Sequence, residues 1–170
     1  MKPSPKPQPA AEAGRYLTFS LGDESYGFPV LKVREIIRLC PITSVPRMPA
    51  YVKGVINLRG TVIPVFDLWA KFQFATTKSY GERACIIVVQ VATPSAENTL
   101  IGTIVDAVEE VVHLTAADIE AVPDFGGAPD TQYILGLATI QGGVKTLLNI
   151  EKIFLEDGSF SLTFTPKPEV

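Results

Sequence analysis

The chain has 170 residues, 46% of them hydrophobic and only 19% charged, with a formal net charge of −3. That length supports one domain with a sizeable core, or two small subdomains sharing one. The slight acidity argues against general nucleic-acid binding, and no run of eighteen apolar residues is present to cross a bilayer. Thirteen glycines and fourteen prolines suit a turn-rich β protein. The first nine residues are proline-rich with no apolar segment behind them, so they do not read as a signal peptide, and residues 1–14 are expected to form an extended, disordered tail. Cys40 and Cys85 lie in apolar surroundings without CxxC spacing. Reduced thiols are favoured over a disulfide, and a cytoplasmic location follows.

In chain order the signal is mostly β. Residues 16–21 alternate, placing Leu17, Phe19 and Leu21 on one face, and a turn at 22–25 leads into a return strand from Tyr26. Residues 30–37 switch period, with Val30, Val33 and Ile37 on one helical face behind Pro29, and predict a short helix. Residues 42–45 predict a brief strand. Then comes the most informative stretch, Pro49-Ala50-Tyr51-Val52-Lys53-Gly54-Val55-Ile56-Asn57-Leu58-Arg59-Gly60. Two apolar arms flank a polar elbow, and Gly60 can adopt the positive φ that a tight reversal needs. Arg59 is therefore expected at an exposed tip, suited to recognising a carboxylate or a partner surface.

Asp67 predicts an N-cap for one helical turn with Leu68 and Phe72 pointing inward. Residues 75–81 read as a polar loop. Residues 84–91 are apolar with little alternation, so both faces of that strand are expected to be buried. A turn at 93–98 precedes an antiparallel partner running from 99 through 112. Residues 115–131 read as loop with a helical turn capped at Thr115, and Gln141-Gly142-Gly143 reads as a hairpin turn between two further strands. Residues 150–154 predict a closing short helix. Each half thus holds hairpins followed by a helical cap near an Asp or Asn, which predicts two small barrels packed side by side.

A search for catalysis finds little. His113 is the single histidine, with no second His or cysteine cluster to make a metal site. Glu109 and Glu110 are adjacent strand positions that point to opposite faces. Gly142-Gly143 lacks the following helix and lysine of a phosphate loop. Binding is the chemistry on offer. Between residues 30 and 72, Lys32, Arg34, Arg38, Arg47, Lys53, Arg59 and Lys71 face only Glu35 and Asp67, whereas the chain beyond residue 84 is predominantly acidic. This fits either two ordinary solvated faces or an adaptor with distinct patches for different partners. Glu35 is expected to pair with Arg59.

Several segments, in order, resemble the CheW family of bacterial chemotaxis coupling proteins. They are Tyr26-Gly27-Phe28-Pro29-Val30-Leu31-Lys32-Val33-Arg34-Glu35-Ile36, the stretch from Met48 to Gly60, Val62-Ile63-Pro64-Val65-Phe66-Asp67-Leu68, Gly102-Thr103-Ile104-Val105-Asp106-Ala107-Val108, and Asn149-Ile150-Glu151-Lys152. The resemblance covers residues 15–155 and implies a mainly β fold of two intertwined five-stranded SH3-like barrels with short capping helices, flanked by a C-terminal tail over 156–170. It implies a scaffold without enzymatic activity, cofactor or metal, held in the cytoplasm at membrane-associated receptor arrays without inserting into the membrane. It would bridge the tips of methyl-accepting chemotaxis proteins and the histidine kinase CheA. No room is left for a kinase or receiver domain. By position, Glu35 and Arg59 match the motif residues linked to receptor coupling. Val33, Gly102, Val108 and Val111 match positions lining or bordering the groove where a receptor hairpin tip docks, with plain core as the alternative for each valine. Tyr51, Val52 and Lys53 are the candidates for kinase contact. The coupling subunit of a non-flagellar pathway, controlling type IV pili or gliding, and a small nucleic-acid-binding barrel remain as alternatives. Phe28-Pro29 departs from the family pattern.

Overall fold

Leu17, Phe19 and Leu21 bury on one face of the first strand, β1 (Gly14–Leu21), as the alternation requires. The computed structural model describes residues 13–72, 80–93, 96–122, 133–141 and 143–155, with only the backbone described for Thr93, residues 96–98 and Leu155. β1 pairs with β2 (Glu24–Pro29). A 3-10 turn at Val30–Lys32 leads to β3 (Val33–Arg38), followed by β4 (Val52–Leu58), β5 (Thr61–Asp67) and the helical turn α1 (Leu68–Lys71). Next come β6 (Cys85–Thr93), β7 (Ala96–Val105), β8 (Ala107–Leu114), a 3-10 turn at Ala116–Asp118, and β9 (Ile119–Glu120). β10 (Ile134–Ile140), β11 (Gly143–Leu148) and α2 (Ile150–Leu155) complete the chain's described elements.

The strands form two sheets, one ordered β8-β1-β2-β11-β10-β9 and the other β3-β6-β7-β5-β4. The two share one connectivity. In each, a hairpin (β1–β2 or β6–β7) pairs antiparallel with an edge strand (β8 or β3). On its other side the same hairpin pairs in parallel with the return arm of a second hairpin, β11 or β5. The first sheet takes its hairpin from the N-terminal end of the chain and the rest from the C-terminal half, so the two units are intertwined. The fold is mainly β with two sheets, as expected, except that the two-residue β9 brings one of them to six strands.

Three apolar clusters follow. The central one joins both sheets, taking Leu17, Phe19 and Phe28 from one and Phe66, Ile87, Val89 and Ile101 from the other, closed by Ile150, Ile153 and Phe154 of α2. A second cluster lies against the far face of the first sheet and a third against the far face of the second. β6 explains its own unalternating sequence: Cys85, Ile87, Val89 and Val91 enter the central cluster, while Ile86 and Val88 enter the third.

The expected helix over 30–37 is corrected to a single 3-10 turn followed by strand β3. The register shifts between Val33 and Glu35, so a bulge breaks the alternation and imitates a helical period. The β-branched pair Ile36-Ile37 then faces two different sides, opposite Ile87 and Ile86, which a strand allows and one helical stripe does not. The expected strand at 42–45 is a single bridge from Thr43 to Val55. The run from 99 to 112 breaks at Asp106, where the chain changes sheet: Asp106 N–H donates to Ser20 O (3.0 Å) and Gly22 N–H donates to Asp106 Oδ2 (2.6 Å). The helical turn at Thr115 is present, Thr115 N–H and Oγ1 both donating to Asp118 Oδ2 at 2.8 and 2.9 Å. Those bonds hold the Asp118 carboxyl below the usual carboxylate range. Gln141 takes φ 49° in the last hairpin turn. Residues 1–12, most of the 75–81 loop, Gly142 and the segment from 156 onward lie outside the described residues.

Two predictions follow from the packing. At Gly54 φ is 145°, and an added Cβ would stand 1.9 Å from Thr43 O, because the bridge to Thr43 brings backbone against backbone. Gly54→Ala should destabilise by about 3 kcal/mol or more in urea denaturation. Thr103 Oγ1 is fully buried with no hydrogen-bond partner. Thr103→Val should be neutral or stabilising by about 1 kcal/mol in the same assay.

Candidate partner-binding surfaces

Leu58 pairs with Thr61, leaving Arg59-Gly60 as a two-residue turn with φ of 50° and 86°. Two positive φ values match the twist of a type I′ hairpin, and Gly60 N–H donates to Asn57 Oδ1 at 2.8 Å. Arg59 is thus at an exposed tip, as expected. Its Nη2 forms a close ion pair with Glu35 Oε1, with the arginine side chain 70% exposed and the glutamate 29%. Glu35 sits on β3 rather than on a helix, so the pair joins one edge strand of the second sheet to the turn of the hairpin at its other edge.

Cross-strand partners share a sheet face, and this sorts the remaining residues. Val33 and Ile36 lie opposite Val89 and Ile87 and so face the central cluster from β3. Val108 and Val111 lie opposite Phe19 and Leu17 and face the same cluster from β8. Both β3 and β8 are edge strands. Cys85, the β6 partner of Arg38 on β3, lies in the central cluster against which Val108 of β8 packs. Val33 and Val108 are half-buried against the core, whereas Ile36 and Val111 are 45% and 54% exposed and Leu31, on the turn before β3, is 96% exposed. The edges of the shared core therefore carry apolar side chains that the fold itself leaves uncovered. Leu31 and Ile36 were not anticipated from sequence, because a helical reading of 30–37 hid the strand face that carries Ile36.

Gly102 is buried, paired with Val65 and Val88; a Cβ there would meet Ile86 Cγ2 at 2.8 Å. It is a packing position at the middle of the second sheet and presents no surface. Val52 is likewise part of the central cluster, at 9% exposure, so its side chain lies inside. Its neighbours are less buried. Tyr51 is half-buried, edge-on to Phe66 with ring centroids 5.8 Å apart, and Lys71 Nζ lies 4.1 Å from its ring centre. Lys53 Nζ is 3.6 Å from Asp67 Oδ2. Asp67, 2% exposed, also accepts from Trp69 N–H at 3.0 Å and from Tyr80 Oη at 2.5 Å. Burial and that carboxylate hold the Tyr80 hydroxyl well above its ordinary titration range.

His113 is exposed on β8. Cys40 and Cys85 are both free, and burial pushes the Cys85 thiol up. Among the described residues no group of three His, Cys, Asp or Glu side chains is placed to hold a metal ion, and no helix is long and apolar enough to cross a membrane.

A family model described as CheW-like domain matches residues 15–157. The chain belongs to the CheW-like family. It is 36% identical over 138 residues to the chemotaxis protein CheW of Klebsiella aerogenes, covering 81% of this chain and 80% of that protein. Protein FrzA of Myxococcus xanthus is 30% identical over 140 residues, covering 81% of this chain and 83% of FrzA. The crystal structure of scaffolding protein TtCheW from Thermoanaerobacter tengcongensis superposes with a TM-score of 0.72 at 28% identity, covering 91% of this chain and 93% of that one. The family assignment makes this a chemotaxis adaptor of the scaffold type.

Asp67 anchors the surface around Tyr51 and Lys53, since it caps α1 and holds Tyr80 and Lys53 together. Asp67→Ala should cost about 3 kcal/mol by urea denaturation, because it strands a buried hydroxyl and a helix N–H.

Proposed function

We propose that this CheW-like chain couples transmembrane chemoreceptors to the histidine kinase CheA as a scaffold without enzymatic activity. In this reading residues 15–155 form the working unit, flanked by 1–14 and 156–170. The protein works in the cytoplasm, where it is recruited to membrane-associated receptor arrays. The observation that carries the proposal is the pair of edge strands β3 and β8, whose uncovered apolar residues border the core shared by the two sheets. An amphipathic helix of a receptor tip is the kind of ligand that fits such a stripe, with Val33, Ile36, Val108 and Val111 meeting its apolar face. Glu35, on the other face of β3 from Val33 and Ile36, and its partner Arg59 would supply orientation through charge. Gly102 contributes by letting β7 pack closely behind it. CheA is assigned to the surface of Tyr51 and Lys53, an aromatic ring and a lysine held by α1 and Asp67, with Val52 as the core residue beneath them.

A second reading replaces swimming chemotaxis by another chemosensory pathway, such as one for pili or gliding. The likeness to FrzA, a relative not named as a chemotaxis protein, supports it. The receptors that co-purify decide between the two.

Arg59→Ala should leave stability within about 1 kcal/mol of wild type, since an exposed ion pair contributes little. It should weaken capture of receptor fragments by roughly tenfold or more, the loss of one interface anchor, while capture of CheA is unchanged. Pull-downs of wild type and variant side by side measure this, and an unfolded variant or equal receptor recovery would refute the site. Val108→Met, which adds bulk at the margin of the core, should also reduce receptor capture without affecting the kinase.

A further inference from the structure

Among the described residues three that are not glycine take a positive φ: Arg47 at 64°, Arg59 at 50° and Gln141 at 49°. A residue with a Cβ is disfavoured there, and glycine or asparagine ordinarily fills such positions. Two of the three are arginines. Arg59 has a role at its turn, since it reaches the carboxylate of Glu35. Arg47 is exposed, and among the described residues no carboxylate pairs with it.

The backbone around Arg47 is fixed from several sides. Thr43 N–H donates to Val55 O at 2.9 Å and Val55 N–H to Thr43 O at 2.8 Å, closing the neck of a loop over residues 44–54. Within the loop, Val52 N–H donates to Pro49 O at 2.9 Å, and Asp67 N–H donates to Tyr51 O at 2.7 Å. Met48 packs against the central cluster and Val52 enters it. Pro46 restricts the chain on the other side of Arg47. With the neck and Met48 both held, Arg47 cannot relax its backbone without giving up one of them. A left-handed residue persists only where its surroundings over-determine it, and such strain gathers at sites of binding.

The same loop carries Tyr51 and Lys53, and Lys71 of α1 lies over the Tyr51 ring. The loop and α1 with its cap hold three cations, Arg47, Lys53 and Lys71, and one carboxylate, Asp67. Asp67 is buried and already meets Lys53, Trp69 N–H and the Tyr80 hydroxyl. The outward charge of this face is therefore positive, around an aromatic ring. Its complement is a protein surface that offers carboxylates.

We propose that Arg47 is a further contact residue of the Tyr51–Lys53 surface, engaging a carboxylate of the partner from a left-handed backbone held at a cost to the fold. This rests on the assignment of CheA to that surface and adds the chemistry of the contact, an acidic patch on the kinase.

Arg47→Gly separates binding from folding, because glycine relieves the backbone while removing the guanidinium. Its urea midpoint should rise above wild type. Its affinity for purified CheA, read by calorimetric titration at low salt, should fall about tenfold. At about 1 M salt the difference should shrink to about twofold or less, since an exposed pair is screened. Capture of a receptor-tip fragment should match wild type. Unchanged affinity for CheA overturns the proposal. So does a midpoint no higher than wild type, since the arginine then carries no conformational cost, and so does a parallel loss of receptor capture, which means a general disturbance. Lys53→Ala distinguishes this proposal from the reading beneath it. If Lys53→Ala weakens CheA binding and Arg47→Gly does not, the kinase surface stands and Arg47 has no part in it. If neither variant weakens it, the surface is misassigned and the proposal falls with it.

Discussion

The central apolar cluster is what the rest of the molecule depends on. It draws on both sheets and on α2, with Phe19 against Phe28 at 4.7 Å between ring centres and Phe66 against Phe154 at 4.9 Å. Neither sheet buries its inner face alone, and the first is completed by strands from both sides of the second in sequence. Docking one on the other removes both faces from water at once, at about 25 cal/mol per Å² of apolar surface. β6 shows the consequence most directly, since its residues alternate between the shared cluster and the second sheet's own.

Polar groups mark the points where the intertwined chain changes direction. Asp106 ties the crossing between sheets to the β1–β2 turn. Glu109, skipped in the β1–β8 register, turns its carboxylate to Ser25 Oγ (3.0 Å) and Lys145 Nζ (3.2 Å), linking β8 to β2 and β11. Lys32 Nζ meets Glu151 Oε1 at 2.5 Å and joins the turn before β3 to α2. These bonds hold edge strands β3 and β8 in place at the boundary of the shared core. A binding surface built on such edges is preorganised, which spares a partner the ordering cost of a loop.

The charge pattern takes on a spatial meaning in the same frame. Arg34, Arg38, Lys53 and Arg59 are exposed on β3, β4 and the tip of the β4–β5 hairpin, all in the second sheet, whereas Glu110 and Glu120 are exposed on β8 and β9 of the first. The basic and acidic stretches of sequence correspond to different sheets. Part of the contrast is neutralised by the pairs Arg59–Glu35, Lys32–Glu151 and Lys145–Glu109.

Local chemistry was enough to read the tight turn at Arg59-Gly60, the cap at Asp67, the buried strand at 84–91 and the hairpin after Ile140. Each is decided within a few residues, by a glycine's freedom, a carboxylate's reach to a nearby N–H, or a run of β-branched side chains. The ordered motifs placed the family as well. Residues 30–37 were not legible, because a bulge gave a strand the spacing of a helix and only the free edge of β6 could tell the two apart. The same holds for Gly102 and Val52, whose motif positions suggested a surface but whose neighbours across the sheet put them inside. Which side of β3 faces the shared core, and hence the exposure of Ile36 beside Val111, depends on pairings between residues some fifty to ninety positions apart. Local sequence carries no record of those pairings, and only the docking of two sheets decides them.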